Sequence, residues 1–103
     1  MRVAFKMKLH AGQQEEYKRR HNALWPELKQ LLKETGIEDY SIFLDEETNV
    51  LFGTLKIEKQ EKMDELPKHP IMKKWWSHMK DIMETNPDHS PVSIPLKEVF
   101  YLK

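Results

Sequence analysis

The stretch Tyr40-Ser41-Ile42-Phe43-Leu44-Asp45-Glu46-Glu47-Thr48-Asn49-Val50-Leu51-Phe52-Gly53-Thr54-Leu55-Lys56-Ile57 decides the fold. Tyr40, Ile42 and Leu44 alternate with Ser41 and Phe43, the period of a strand. Asp45 to Asn49 is a polar turn, and Val50 to Ile57 is a second apolar run, so residues 39–57 read as a hairpin. Phe43 beside Ile42, and Phe52 beside Leu51, put apolar groups on both faces of that hairpin. Helices on one face leave the other face apolar and uncovered.

Toward the N-terminus, Val3, Phe5, Met7 and Leu9 alternate with Ala4, Lys6 and Lys8, giving a half-buried strand over 3–9. From Gln13 to Glu34 the period becomes helical: Tyr17, His21, Leu24, Leu28 and Leu31 form one stripe. Pro26 has no N–H to give to the preceding turn and its ring crowds that turn, so a kink or break is expected near residues 22–25. Gly36 is a natural stop. Beyond the hairpin, a short helix from Glu58 ends at Pro67, and Pro70 opens a last helix. Its stripe is Ile71, Trp75, Met79 and Ile82, with Trp76 and Met83 on the flank, and Asn86-Pro87-Asp88 ends it. Residues 89–95 read as an extended, Pro-rich arm and Glu98 to Leu102 as a final strand. The order strand, helix, strand, strand, helix, strand predicts an α+β domain of ferredoxin-like (βαββαβ) plan over residues 1–103. Its free apolar sheet face predicts a symmetric homodimer with sheets packed face to face, a dimeric α/β-barrel.

The composition narrows the function. The chain has 103 residues, enough for one core. Lys plus Arg equals 17 and Asp plus Glu equals 17, so there is no basic excess of the kind that binds nucleic acid. There is no cysteine, which removes disulfides, thiolate nucleophiles and sulfur-ligated metals. No apolar run approaches the roughly 20 residues of a membrane span, and Lys6 and Lys8 interrupt any signal-peptide core. A cytoplasmic protein without membrane contact is the expectation.

Tyr17 and His21, four residues apart on the apolar stripe, are neighbours. Either they are two satisfied core polar groups, or they line a pocket whose imidazole transfers protons. The break at Pro26 makes room beside His21 and leans toward the second. Trp75 and Trp76 point about 100° apart. They are either a core and an edge Trp, or an aromatic wall for a ligand with a C–H face, such as a sugar. Tyr40 lies in the core layer near Tyr17 if its face is the helix-covered one, and at the dimer interface otherwise. His10, His69, His78 and His89 have no metal-binding spacing and read as solvated surface.

These residues carry a resemblance. The segment Tyr17-Lys18-Arg19-Arg20-His21-Asn22-Ala23-Leu24-Trp25-Pro26-Glu27-Leu28 resembles the signature of the L-rhamnose mutarotase family. So do Tyr40 with Ile42, the pair Trp75-Trp76, the segment Asn86-Pro87-Asp88-His89-Ser90-Pro91, and the ending Leu96-Lys97-Glu98-Val99-Phe100-Tyr101-Leu102. The match runs in order along the whole chain and is poorest over residues 58–68. It implies a ferredoxin-like homodimer that interconverts the α and β anomers of L-rhamnose with side chains alone, without metal or cofactor. It implies His21 as proton donor and Tyr17, Tyr40, Trp75 and Trp76 as substrate-binding residues. The competing readings are a monooxygenase of the same fold acting on a quinol or haem, and a sugar-binding domain without catalysis. Fold alone does not separate them.

Overall fold

The computed structural model describes residues 1–103. Its elements are β1 (Arg2–Lys8), α1 (Gln14–Asn22), α2 (Pro26–Glu34), β2 (Glu38–Asp45), β3 (Val50–Lys56), α3 (Gln60–Glu65) with a 3₁₀ turn over Leu66–Lys68, α4 (Pro70–Met79) and β4 (Ile94–Leu96). The four strands form one antiparallel sheet in the order β2-β3-β1-β4, the ferredoxin-like arrangement.

The first helical stretch is broken where Pro26 requires it. Trp25 is extended, with φ −61° and ψ 134°, and Pro26 starts α2 as its first residue. Gly36 ends α2 at φ +91°, a left-handed position where glycine carries no Cβ penalty. The Gly36 and Ile37 amides donate back to the carbonyls of Lys33 and Leu32, which satisfies the last turn in a Schellman motif.

The core is the layer between helices and sheet. Met7, Leu9, Leu51, Leu55 and Ile57 come from the sheet side, and Leu28, Leu31, Trp75 and Met79 come from α2 and α4. Leu9, Leu28, Leu51 and Leu55 are essentially sealed, each contributing about 1.5–3 kcal/mol relative to exposure. The register between β2 and β3 shifts between Glu38 and Ser41, with Asp39 in the left-handed region at φ 49°. The extra residue resets the alternation. Ser41 then pairs with Thr54 on the outer face and Ile42 with Gly53 on the inner face, so Tyr40 turns inward with Ile42 and Leu44.

Two sequence expectations are corrected. The last helix stops at Met79, short of Asn86. Beyond it, the His10 amide donates to the Ile82 carbonyl and the Glu84 amide to the Lys8 carbonyl, drawing residues 82–84 alongside the end of β1. Ile82 and Met83 are still buried, from a turn rather than from a helical stripe. The last strand is also misplaced by the sequence. Residues 98–102 are not a strand in this chain; β4 is the three-residue Ile94–Leu96 within the Pro-rich arm. Pro95 is tolerated because β4 is an edge strand, where a missing N–H costs no ladder bond on the open side. Val99, Phe100, Tyr101 and Leu102 are left exposed, from 64% to 89%.

The outer face of the sheet is as apolar as the hairpin implies. Phe43 and Phe52 are register partners on it, 62% and 37% exposed, and Ile94 and Leu96 add apolar side chains on β4, beyond Lys6 and Ala4 of β1. No helix is long and apolar enough to cross a membrane.

Candidate active site

A cavity of about 870 Å³ opens between the sheet and the helix layer, with Tyr17, His21, Tyr40 and Trp75 in its wall. Its floor is apolar, from Leu28, Leu51 and Leu55 among others. The size and composition suit a small organic ligand held by a few polar groups.

Helix periodicity places Tyr17 over His21 on α1. Their rings stack at 4.2 Å and 29°, and Trp75 on α4 meets His21 in a T-shaped contact at 5.4 Å and 90°. The imidazole is thus held by one stacked and one perpendicular aromatic ring. Its Nδ1 lies 3.0 Å from the carbonyl oxygen of Tyr17, one turn back. Burial lowers the His21 pKa below its ordinary 6.5, partly opposed by that backbone hydrogen bond. Burial also pushes the Tyr17 phenol up, with the nearby Tyr40 adding to the rise. Tyr40 is 40% exposed as a residue, yet the burial of its hydroxyl end pushes its phenol up to about 12. All three groups are therefore neutral near pH 7.

The structure brings four of the five sequence-derived site residues to one cavity. Trp76 is half-buried against the core and does not line that cavity within the single chain. Sequence reasoning missed three contributors. Trp25, turned inward by the break at Pro26, meets Trp75 edge to face at 5.1 Å. His78 is exposed, as expected, yet its ring lies 5.3 Å from Trp25 and 5.5 Å from Trp75. Arg20 ties α1 to the end of α4: its Nη1 donates to the His78 carbonyl at 2.7 Å and to Asp81 at 2.8 Å. The spacing of Glu16 and Arg20 signals their helical ion pair, but nothing local signals Asp81.

A four-stranded antiparallel sheet carrying one aromatic pocket, with a neutral histidine and two phenols, defines a ferredoxin-like protein equipped for proton transfer on a small organic ligand. The comparisons with known proteins make that class specific. The sequence model of the L-rhamnose mutarotase family matches residues 2–102. An L-rhamnose mutarotase of Formosa agariphila is 59% identical over 102 residues, covering 99% of this chain and 98% of the relative. One of Agrobacterium fabrum is 60% identical over 99 residues, covering 96% and 92%. The crystal structure of an L-rhamnose mutarotase from Formosa agariphila superposes with a TM-score of 0.94 at 58% identity, covering 100% of this chain and 99% of that one. The chain belongs to the L-rhamnose mutarotase family.

Proposed function

We propose that this protein is an isomerase that interconverts the α and β anomers of L-rhamnose by opening and reclosing the sugar ring. Family membership supports the substrate, and the His21 imidazole held between Tyr17 and Trp75 at the cavity wall carries the chemistry. Nothing comparable supports the monooxygenase or the non-catalytic binding reading.

Opening a cyclic hemiacetal requires a proton on the ring oxygen and loss of the proton from the anomeric hydroxyl. Closing reverses both, on the other face of the aldehyde. A positioned acid–base group supplies roughly 10²–10⁴-fold, and His21 is that group, giving its proton to the ring oxygen. Tyr17 and Tyr40, which keep their protons, donate hydrogen bonds to sugar oxygens. Trp75 offers its ring to the C–H face and the 6-methyl group of the sugar. Trp76, outside the cavity wall of the single chain, is the weaker member of the binding pair. The protein works as a cytoplasmic homodimer without nucleic-acid partners, the sheets of two copies covering each other's Phe43 and Phe52.

The test is NMR saturation transfer between the anomeric protons of L-rhamnose. Wild type should speed the exchange and His21→Ala should return it to background. Full activity in folded His21→Ala would remove the assignment.

A further inference from the structure

We infer that His21 is the base as well as the acid of ring opening: its Nε2 takes the anomeric hydroxyl proton and hands the same proton to the ring oxygen. This rests on the mutarotase reading and goes beyond it by dispensing with a separate base.

The tautomer follows from a partner that has no choice. The Tyr17 carbonyl oxygen carries no hydrogen, so the 3.0 Å contact is a hydrogen bond only when Nδ1 is protonated. In the neutral ring the lone pair then sits on Nε2. That nitrogen makes no hydrogen bond within the chain, and no side-chain nitrogen or oxygen is both sealed and unpaired. Nε2 is therefore open, on a residue of the cavity wall. The stack with Tyr17 and the perpendicular contact with Trp75 hold the ring in that orientation. An imidazole presented this way cannot begin as an acid. It has to collect a proton first.

The two phenols of the cavity do not take that role. The phenols of Tyr17 on α1 and Tyr40 on β2 keep their protons, because burial raises both pKa values. The cavity carboxylates, Glu15 in the first turn of α1 and Glu46 in the hairpin turn, are on exposed residues. The remaining cavity charges are the ammonium groups of Lys18, Lys29 and Lys33. Beyond Trp75, α4 contributes His78.

The step balances with one group. Nε2 accepts the hydroxyl proton, and the O–H electrons form the aldehyde C=O. The C1–O5 bond breaks with its electrons going to O5, and O5 takes the proton back from Nε2. Both oxygens are bonded to the same carbon, so one ring nitrogen serves them with little movement. The aldehyde then turns about C1–C2, and closure runs the same transfers in reverse.

Two measurements on the wild-type protein test this. Long-range ¹H–¹⁵N correlation at neutral pH should give His21 a protonated Nδ1 and a bare Nε2; the opposite tautomer overturns the inference whatever the activity. The exchange rate on L-rhamnose, corrected for the spontaneous reaction, should fall about tenfold per pH unit below the His21 pKa, and the same limb should persist in His78→Asn. A rate that instead rises as His21 is protonated makes it an acid needing a separate base, and overturns the shuttle while keeping the mutarotase reading. No acceleration at any pH removes both.

Discussion

Arg20 on α1 grips Asp81, beyond the end of α4, through two parallel hydrogen bonds of 2.8 and 3.1 Å. The same guanidinium donates to the His78 carbonyl in the last turn of α4 and to Glu16 on its own helix. Only 11% of its side chain is exposed, against 60% for Asp81. One arginine thereby satisfies a C-terminal carbonyl, complements the negative end of α4 and locks the helix that carries His21 to the helix that carries Trp75.

Arg20→Ala should loosen that lock. The Asp81 end is solvent-screened, so the stability loss expected in thermal or denaturant unfolding is about 1 kcal/mol. The clearer readout is geometric: the tryptophan near-UV circular dichroism should change as the edge contacts of Trp75 relax. The pair also sets a pH window. The hydrogen bond from Arg20 holds the Asp81 carboxyl down at about 2, against an ordinary 3.8. Because the folded value is the depressed one, this stability is present above the unfolded pKa and is lost as pH falls from about 4 toward 2. Unfolding scans should show that loss in wild type and a shallower one in Asp81→Asn. Equal slopes would mean the pair contributes nothing.

Phe5 and Gly53 face each other in register, and the Phe5 ring occupies the space a Cβ on residue 53 would need, 2.5 Å from its ring carbon. The same ring packs edge-on to Tyr40 at 6.3 Å. Gly53→Ala must push the ring aside, an overpacking cost of roughly 1–3 kcal/mol, and move the support of Tyr40. The Michaelis constant for L-rhamnose should rise with little change in turnover. Tyr40→Phe should raise it by about tenfold for one lost hydrogen bond. An unchanged Michaelis constant in folded Tyr40→Phe would remove Tyr40 from the substrate.

Much of this architecture is legible in the sequence, for local reasons. Pro26 forces the break between α1 and α2, the alternation of residues 40–57 gives the hairpin, and the four-residue spacing stacks Tyr17 on His21. Which way Tyr40 turns is not legible, because alternation groups it with Ile42 and Leu44 but does not say which face of the sheet the helices cover. Arg20 reads as a solvated charge until Asp81, 61 residues away, is placed beside it. Trp25 and His78 join the aromatic cluster only once the break has rotated α2 against α4. The end of the chain fails for a different reason. Alternation in Val99 to Leu102 records surfaces that seek burial, but not which chain supplies it.

That last point yields a prediction about assembly. Phe43, Phe52, Ile94 and Leu96 form an apolar outer sheet face, and Val99, Phe100, Tyr101 and Leu102 follow it as an exposed apolar tail. An uncovered patch of this kind on a small domain marks an interface, and a second copy offers the same patch, as a two-fold contact requires. Sedimentation of the wild-type protein should give a dimer. Phe52→Lys, on the inner strand β3 of that face, should give a monomer by burying a charge between the two sheets. Removing residues 98–103 separates the two surfaces. A monomer would mean that the tail docks on the partner, whereas a dimer of unchanged strength would leave the sheets alone holding the copies together. A wild-type monomer at micromolar concentration would end the two-fold proposal.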